Sequence, residues 1–177
     1  MLINLNVNEE VRARNVKLCK EKGIILPTFK QMVDPSTVPA EIKEKLAKTG
    51  LWDVNPVNLF RITWKNEPVE QGGGFGKVNY IEVPKQLTGV KARIFALVGK
   101  YFPTGAHKVG ATYSCLAPAL ATGNFDAQNQ QAVWPSTGNY CRGGAYNSAL
   151  LGCKSIAILP AEMSQERFNW LKTVAGE

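Results

Sequence analysis

The chain has 177 residues, 45% hydrophobic and 20% charged, with a formal net charge of +7, which fits about one globular domain rather than a disordered or repetitive chain. No stretch approaches the ~20 apolar residues that cross a bilayer, and the opening Met1-Leu2-Ile3-Asn4-Leu5-Asn6 lacks the basic and apolar regions of a secretory leader, so no membrane partner is expected. Four cysteines (Cys19, Cys115, Cys141, Cys153) with no Cys-x-x-Cys pair, and a single histidine, argue for reduced thiols, a cytoplasmic protein and no metal site.

In chain order, residues 9–22 read as a helix closed by Gly23. Its basic residues Arg12, Arg14, Lys17, Lys20 and Lys22 have no aromatic residue between them. They read as a solvated face rather than a nucleic-acid surface, so no nucleic-acid partner is expected. A second helix is expected from about Pro39 to Lys48, with Gly50 behind it. Leu59–Trp64 reads as a strand. The run Gly72-Gly73-Gly74-Phe75-Gly76 lacks the Gly-Lys-Ser/Thr ending of a phosphate loop and is expected to be a flexible connection.

From residue 78 the pattern sharpens. Strands are expected at Val78–Val83, Ala92–Val98, Gln131–Trp134 and Ser155–Leu159. Helices are expected at His107–Ala121, kinked or ended by Pro118, at Asn139–Leu151, and at 165–174 capped by Ser164. Alternating strands and helices with short links predict an α/β fold, a three-layer sandwich in which a small, mainly parallel sheet is flanked by helices. Residues 1–77 form a helical and irregular extension in front of an α/β domain at 78–177. A further strand is due where Gly176 and Glu177 end the chain, which suggests a piece of a longer protein with an open sheet edge.

Two motifs carry the chemistry. Pro103-Thr104-Gly105-Ala106-His107-Lys108 puts one lysine in the opening turn of a helix, with Thr104 as a candidate cap. A lysine amine attacks a carbonyl only when neutral. Burial in a cleft and the positive end of a helix both favour the neutral form. Pro135-Ser136-Thr137-Gly138-Asn139 puts hydroxyl and amide groups at a strand-to-helix turn, where unsatisfied backbone N–H groups receive anions. Ordinary helix capping is the simpler reading of those same residues. Gly143 and Gly144 within the following helix each cost about 1 kcal/mol against alanine and point to close packing.

Together these segments resemble the pyridoxal-phosphate enzymes of fold type II, the tryptophan synthase β/cysteine synthase superfamily. Thr104-Gly105-Ala106-His107-Lys108 is similar to the tryptophan synthase β lysine motif. Pro135–Asn139, Leu151-Gly152-Cys153-Lys154, Ile158–Ser164 and Gln165-Glu166-Arg167 are similar to cysteine synthase. The resemblance covers about residues 78–177. It implies that Lys108 carries pyridoxal phosphate and shuttles the substrate α-proton, that His107 lies near the cofactor phosphate, and that Asn139 bonds the cofactor ring hydroxyl. It further implies that Ser136, Thr137, Gly138 and Tyr140 hold the carboxylate of an amino-acid substrate, for β-elimination or β-replacement in a homodimer. Tyr140 stands where cysteine synthases carry threonine. The family's glycine-rich phosphate cup would lie past residue 177, so this chain by itself is expected to be inactive and to bind the cofactor weakly or not at all. The alternative is a non-catalytic piece or subunit that docks a partner through its open sheet edge.

Overall fold

The computed structural model describes residues 4–175. Met1, Leu2 and Ile3 of the leader reading, and Gly176 and Glu177 where a strand was due, lie outside the described residues. Helix α1 (Glu9–Glu21) opens on Asn8, whose side chain accepts from Val11 N, with Glu9 and Glu10 complementing its positive end. Gly23 follows it at φ 63°. The basic face is largely neutralised locally: Arg12 pairs with Glu9, Arg14 with Glu10 and Asp126, and Lys17 with Glu21.

Helix α2 (Phe29–Val33) carries a capping box between Thr28 and Gln31. Helix α3 (Ala40–Ala47) buries Ile42 and Leu46 against Val38 and Phe60. The predicted strand at Leu59–Trp64 is instead largely a 3-10 helix, Pro56–Arg61. Asn55 accepts from Val57 N and Pro56 follows it, a helix-start signal, and Asn58, Leu59, Phe60 and Arg61 are all buried, so no strand-like alternation exists. Buried Arg61 donates to the carbonyls of Leu46 and Thr49, which ties this turn to the end of α3. The glycine run closes a tight loop rather than a loose link. Glu67 N donates to Gly74 O, Gly76 N donates to Lys65 O, and Gly73 sits at φ 65°.

Strands β1 (Tyr80–Val83) and β2 (Ile94–Leu97), joined through the short helix α4 (Lys85–Thr88), pair antiparallel in a sheet of their own. The ten residues between them are fewer than the dozen or so that a parallel crossover needs. Helix α5 (Lys108–Thr122) does not end at Pro118 but continues past it to Thr122. The proline deprives only the carbonyl of Ser114, an exposed residue that water can serve.

Strand β3 (Gln131–Pro135), helix α6 (Asn139–Leu150) and strand β4 (Lys154–Ile158) form a parallel β-α-β unit, followed by helix α7 (Gln165–Ala175). The register sets Ala132 opposite Ser155 and Trp134 opposite Ala157 on the packed face. Val133 faces Ile156, and Pro135 faces Ile158, on the exposed one. The fold is α/β, with small sheets of few strands flanked by helices. Its main core joins Val109, Tyr113, Leu116 and Leu120 of α5 to Ala145, Tyr146 and Leu150 of α6, with Trp134 beneath and Leu171 of α7 beside them. Ile24, Leu59 and Ile62 from the first 77 residues belong to the same cluster. Full burial of such a side chain is worth about 1.5–3 kcal/mol relative to exposure. Among the described residues no helix is long and apolar enough to cross a membrane.

Candidate active site

The lysine motif and the hydroxyl turn meet through the packing of α5 on α6. Lys108 is the first residue of α5, as its motif predicts, with His107 at the cap position and no side-chain cap bond. Thr104 is not the cap. It lies in the 3-10 turn Pro103–Gly105 at φ 67°, nearly fully buried, with its hydroxyl unpartnered. That turn ends before α5 begins, which places Thr104 too far upstream to reach the first helical N–H groups. Gly105, also at φ 67°, lies so close to Trp52 that an added Cβ would meet its ring at 3.2 Å.

The cleft burial expected for Lys108 is not found: its side chain is exposed. It enters no salt bridge or side-chain hydrogen bond among the described residues. The physical reason lies in its position. It is the first residue of its helix, and the core contacts of that end are made by Val109, Thr112 and Tyr113. His107 is also exposed and stacks on Trp64, with ring centroids 5.4 Å apart and planes 26° apart. It lines a cleft of about 530 Å³ with Met32, Ile62, Phe102 and Ser114.

The second motif sits at the carboxyl end of β3. Ser136 N donates to Ile158 O at 3.1 Å and so carries the strand pairing one residue past β3. Ser136 Oγ then accepts from Gly138 N at 3.2 Å. Gly138 is the N-cap of α6 and provides no side-chain cap. The hydroxyls of Ser136 and Thr137 and the amide of Asn139 are therefore not consumed in capping, which was the simpler reading of this cluster. Thr137 and Asn139 are exposed, while Ser136, Gly138 and Tyr140 are half-buried. Tyr140 packs edge-on against Trp134 and lies 3.7 Å from Cys115 Sγ on α5. Burial, then the Cys115 contact, pushes its phenol above the ordinary tyrosine value.

Gly143 explains how the two motifs come together. A Cβ there would lie 2.9 Å from Val109 N and Cα and 3.0 Å from Lys108 C. The backbone of the lysine therefore rests directly on α6, four residues or about 6 Å of helical rise beyond Asn139. Asn147 strengthens the contact by donating to Val109 O and Thr112 Oγ1 at 2.7 and 2.8 Å. Gly144 makes room for the Trp134 indole, whose Nε1 donates to Ser148 Oγ at 3.0 Å.

Three participants were given no site role from the sequence. Trp52 lies against Gly105 of the lysine motif on one side and 5.7 Å from the guanidinium of Arg142, on α6, on the other. Arg142 is also 4.4 Å from the Trp170 ring centroid. Arg167 Nη1 donates to Thr137 O at 2.8 Å and so ties α7 to the hydroxyl turn. Arg142, three residues past Asn139, was visible as a charge on a helix start. Trp52 lies far upstream and had no local signal.

No family model matches the chain. It is 32% identical over 96 residues to a cystathionine beta-synthase of Saccharomyces cerevisiae (strain ATCC 204508 / S288c), covering 54% of this chain. The match spans about a fifth, 19%, of that protein's length.

Proposed function

We propose that this chain is the lysine-bearing part of a pyridoxal-phosphate-dependent enzyme of fold type II that acts on an amino acid by β-elimination or β-replacement. One observation carries the reading. The Gly143 contact sets the first residue of α5, Lys108, on the helix that begins at the uncapped Ser136–Asn139 turn. The partial similarity to a cystathionine beta-synthase supports the same class.

The donor set suits the cofactor. Among the described residues Lys108 is paired with no carboxylate, and Ser136, Thr137 and Asn139 offer hydroxyl and amide groups at a helix start. Lys108 would hold the cofactor covalently, and Asn139 would hydrogen-bond its ring hydroxyl. When bound, the cofactor supplies an electron sink for the charge left at the substrate Cα. The chain's own residues do the rest. The first N–H groups of α6, with Ser136 and Thr137, receive the substrate carboxylate. Tyr140, held by Trp134, flanks it. Lys108 Nζ would take the α-proton and pass it to the departing Cβ group in elimination, or return it to Cα once a nucleophile has bonded Cβ in replacement. His107, stacked on Trp64, stands beside the lysine to receive the cofactor phosphate.

Borohydride reduction in the presence of pyridoxal phosphate tests this, on this chain and on any longer gene product that contains it. Label on the peptide carrying Lys108, absent in Lys108→Ala, is expected. Label spread over surface lysines, or none on the longer product, removes the reading.

A second reading is favoured by the open face of β3–β4, where Val133, Ile156 and Ile158 are 51%, 44% and 52% exposed. In that reading the chain is a non-catalytic subunit docking a partner. Sedimentation of the chain with and without Ile156→Lys distinguishes it, since docking through this face requires an assembly that the charge disperses.

A further inference from the structure

Arg142 is the least explained group near the site. Its Nε is buried without a partner, and among the described residues its guanidinium donates no hydrogen bond. Two indoles hold it instead, Trp170 at 4.4 Å and Trp52 at 5.7 Å, themselves edge-to-face at 6.3 Å. Such faces stabilise a cation but leave its N–H groups unsatisfied. Arg142 N donates to Gly138 O at 3.2 Å, next to the Thr137 carbonyl that Arg167 bonds, so the two arginines share one turn; burial, and then the like charge of Arg167, holds the Arg142 guanidinium below the ordinary arginine value. Glu166 is the nearby acid, yet forms no ion pair with either arginine among the described residues. Arg167 commits Nη1 to Thr137 O. Two like charges on one turn, beside aromatic walls and with free donors, leave an electrostatic gap that an anion fills.

We infer that Arg142 and Arg167, walled by Trp52 and Trp170, form a binding site for a small oxyanion group, a phosphate or a carboxylate. The planar guanidinium of Arg142 presents paired N–H donors that match either group. Trp52 is 48% exposed, so the site borders solvent on that side. The site lies beside the Ser136–Asn139 turn and uses side chains rather than that turn's backbone. It does not depend on the cofactor: it can bind phosphate even where Lys108 carries nothing. In the amino-acid reading it would receive a second anionic group, so the favoured substrates would carry one beyond the α-carboxylate.

The test is a titration of the cofactor-free chain with inorganic phosphate and, separately, with acetate. It is followed by the Nε–Hε signals of Arg142 and Arg167 and the indole N–H signals of Trp52 and Trp170 in ¹⁵N-correlated NMR spectra. The expected result is a saturable shift confined to these four groups, not reproduced by sodium chloride at equal ionic strength. The tighter of the two anions identifies the source. Arg142→Gln should weaken binding about tenfold or more, and Arg167→Gln should weaken it too, whereas exposed Lys48→Gln should leave it unchanged. Signals that do not move, that follow ionic strength alone, or that move equally in Arg142→Gln overturn the inference. The wild-type titration decides even where a variant fails to fold. Phosphate binding without borohydride label on Lys108 would separate this site from the catalytic reading, and label without phosphate binding would do the reverse.

Discussion

Gly143→Ala tests the contact on which the candidate active site rests. The added methyl would meet Val109 N and Cα at 2.9 Å and Lys108 C at 3.0 Å, all backbone atoms. Relaxing these to ordinary carbon contact at about 3.5–4.0 Å requires α5 and α6 to part by roughly 0.5–1 Å. Overpacking of this kind costs about 1–3 kcal/mol, and alanine returns about 1 kcal/mol of helix propensity over glycine. Because all three contacts are to backbone, which cannot swing aside, the overpacking cost falls in the upper part of that range, about 2–3 kcal/mol, so a net loss of about 1–2 kcal/mol remains, or a melting temperature lower by about 2–8 °C for a chain of this size. Gly110→Ala on the facing helix is the control. Its Cβ would meet only the Ile62 Cγ2 methyl at 3.3 Å, which can yield, so stability should be unchanged or slightly raised. Urea and thermal unfolding of both variants measure this. Gly143→Ala as stable as the parent, with Gly110→Ala behaving as stated, would refute the close approach and with it the placement of Lys108 on α6.

Asn15 is 3% exposed and bonds Leu120 O, Phe125 O and Ala127 N. Asn15→Ala orphans three backbone groups, and urea denaturation should show a loss of about 3 kcal/mol. The Asp126 carboxyl is held down at about 2, chiefly by the Asn129 amide, with Arg14 and the N–H groups of Gln128 and Asn129 assisting against burial. Between about pH 4 and pH 2 the unfolded chain therefore binds the extra proton, and stability falls as pH drops through that window. Asp126→Asn should flatten the slope there in acid unfolding curves. Burial pushes the Cys153 thiol up to about 12 and raises that of Cys141, while Cys115 is exposed. Iodoacetamide at pH 8 should accordingly modify Cys115 first and reach Cys141 and Cys153 only after unfolding, as peptide mapping would show.

Local rules were legible from the start. Gly23 closes α1, Lys108 opens α5, and Ser136–Gly138 forms the turn before α6, because capping chemistry and φ preference act within a few residues. The strand reading at Leu59–Trp64 failed where a different local rule won. Asn55-Pro56 started a 3-10 helix in a segment whose apolar residues read as strand, and the ten-residue link after Val83 forced β1 and β2 antiparallel.

The site divides along the same line. Residue types alone selected Lys108 and the hydroxyl-bearing turn, since the chemistry of an amine and of free N–H groups is a property of the residues and their immediate neighbours. Whether the two meet, whether the hydroxyls are spent on capping, and how far the lysine is covered were decided by tertiary packing: the Gly143 contact, the bare Gly138 cap, and an α5 end whose core contacts exclude Lys108. Trp52 reaching Gly105 and Arg142 belongs there too. Contacts between segments far apart in the chain depend on how helix faces and volumes fit together, and no short stretch of sequence encodes that fit.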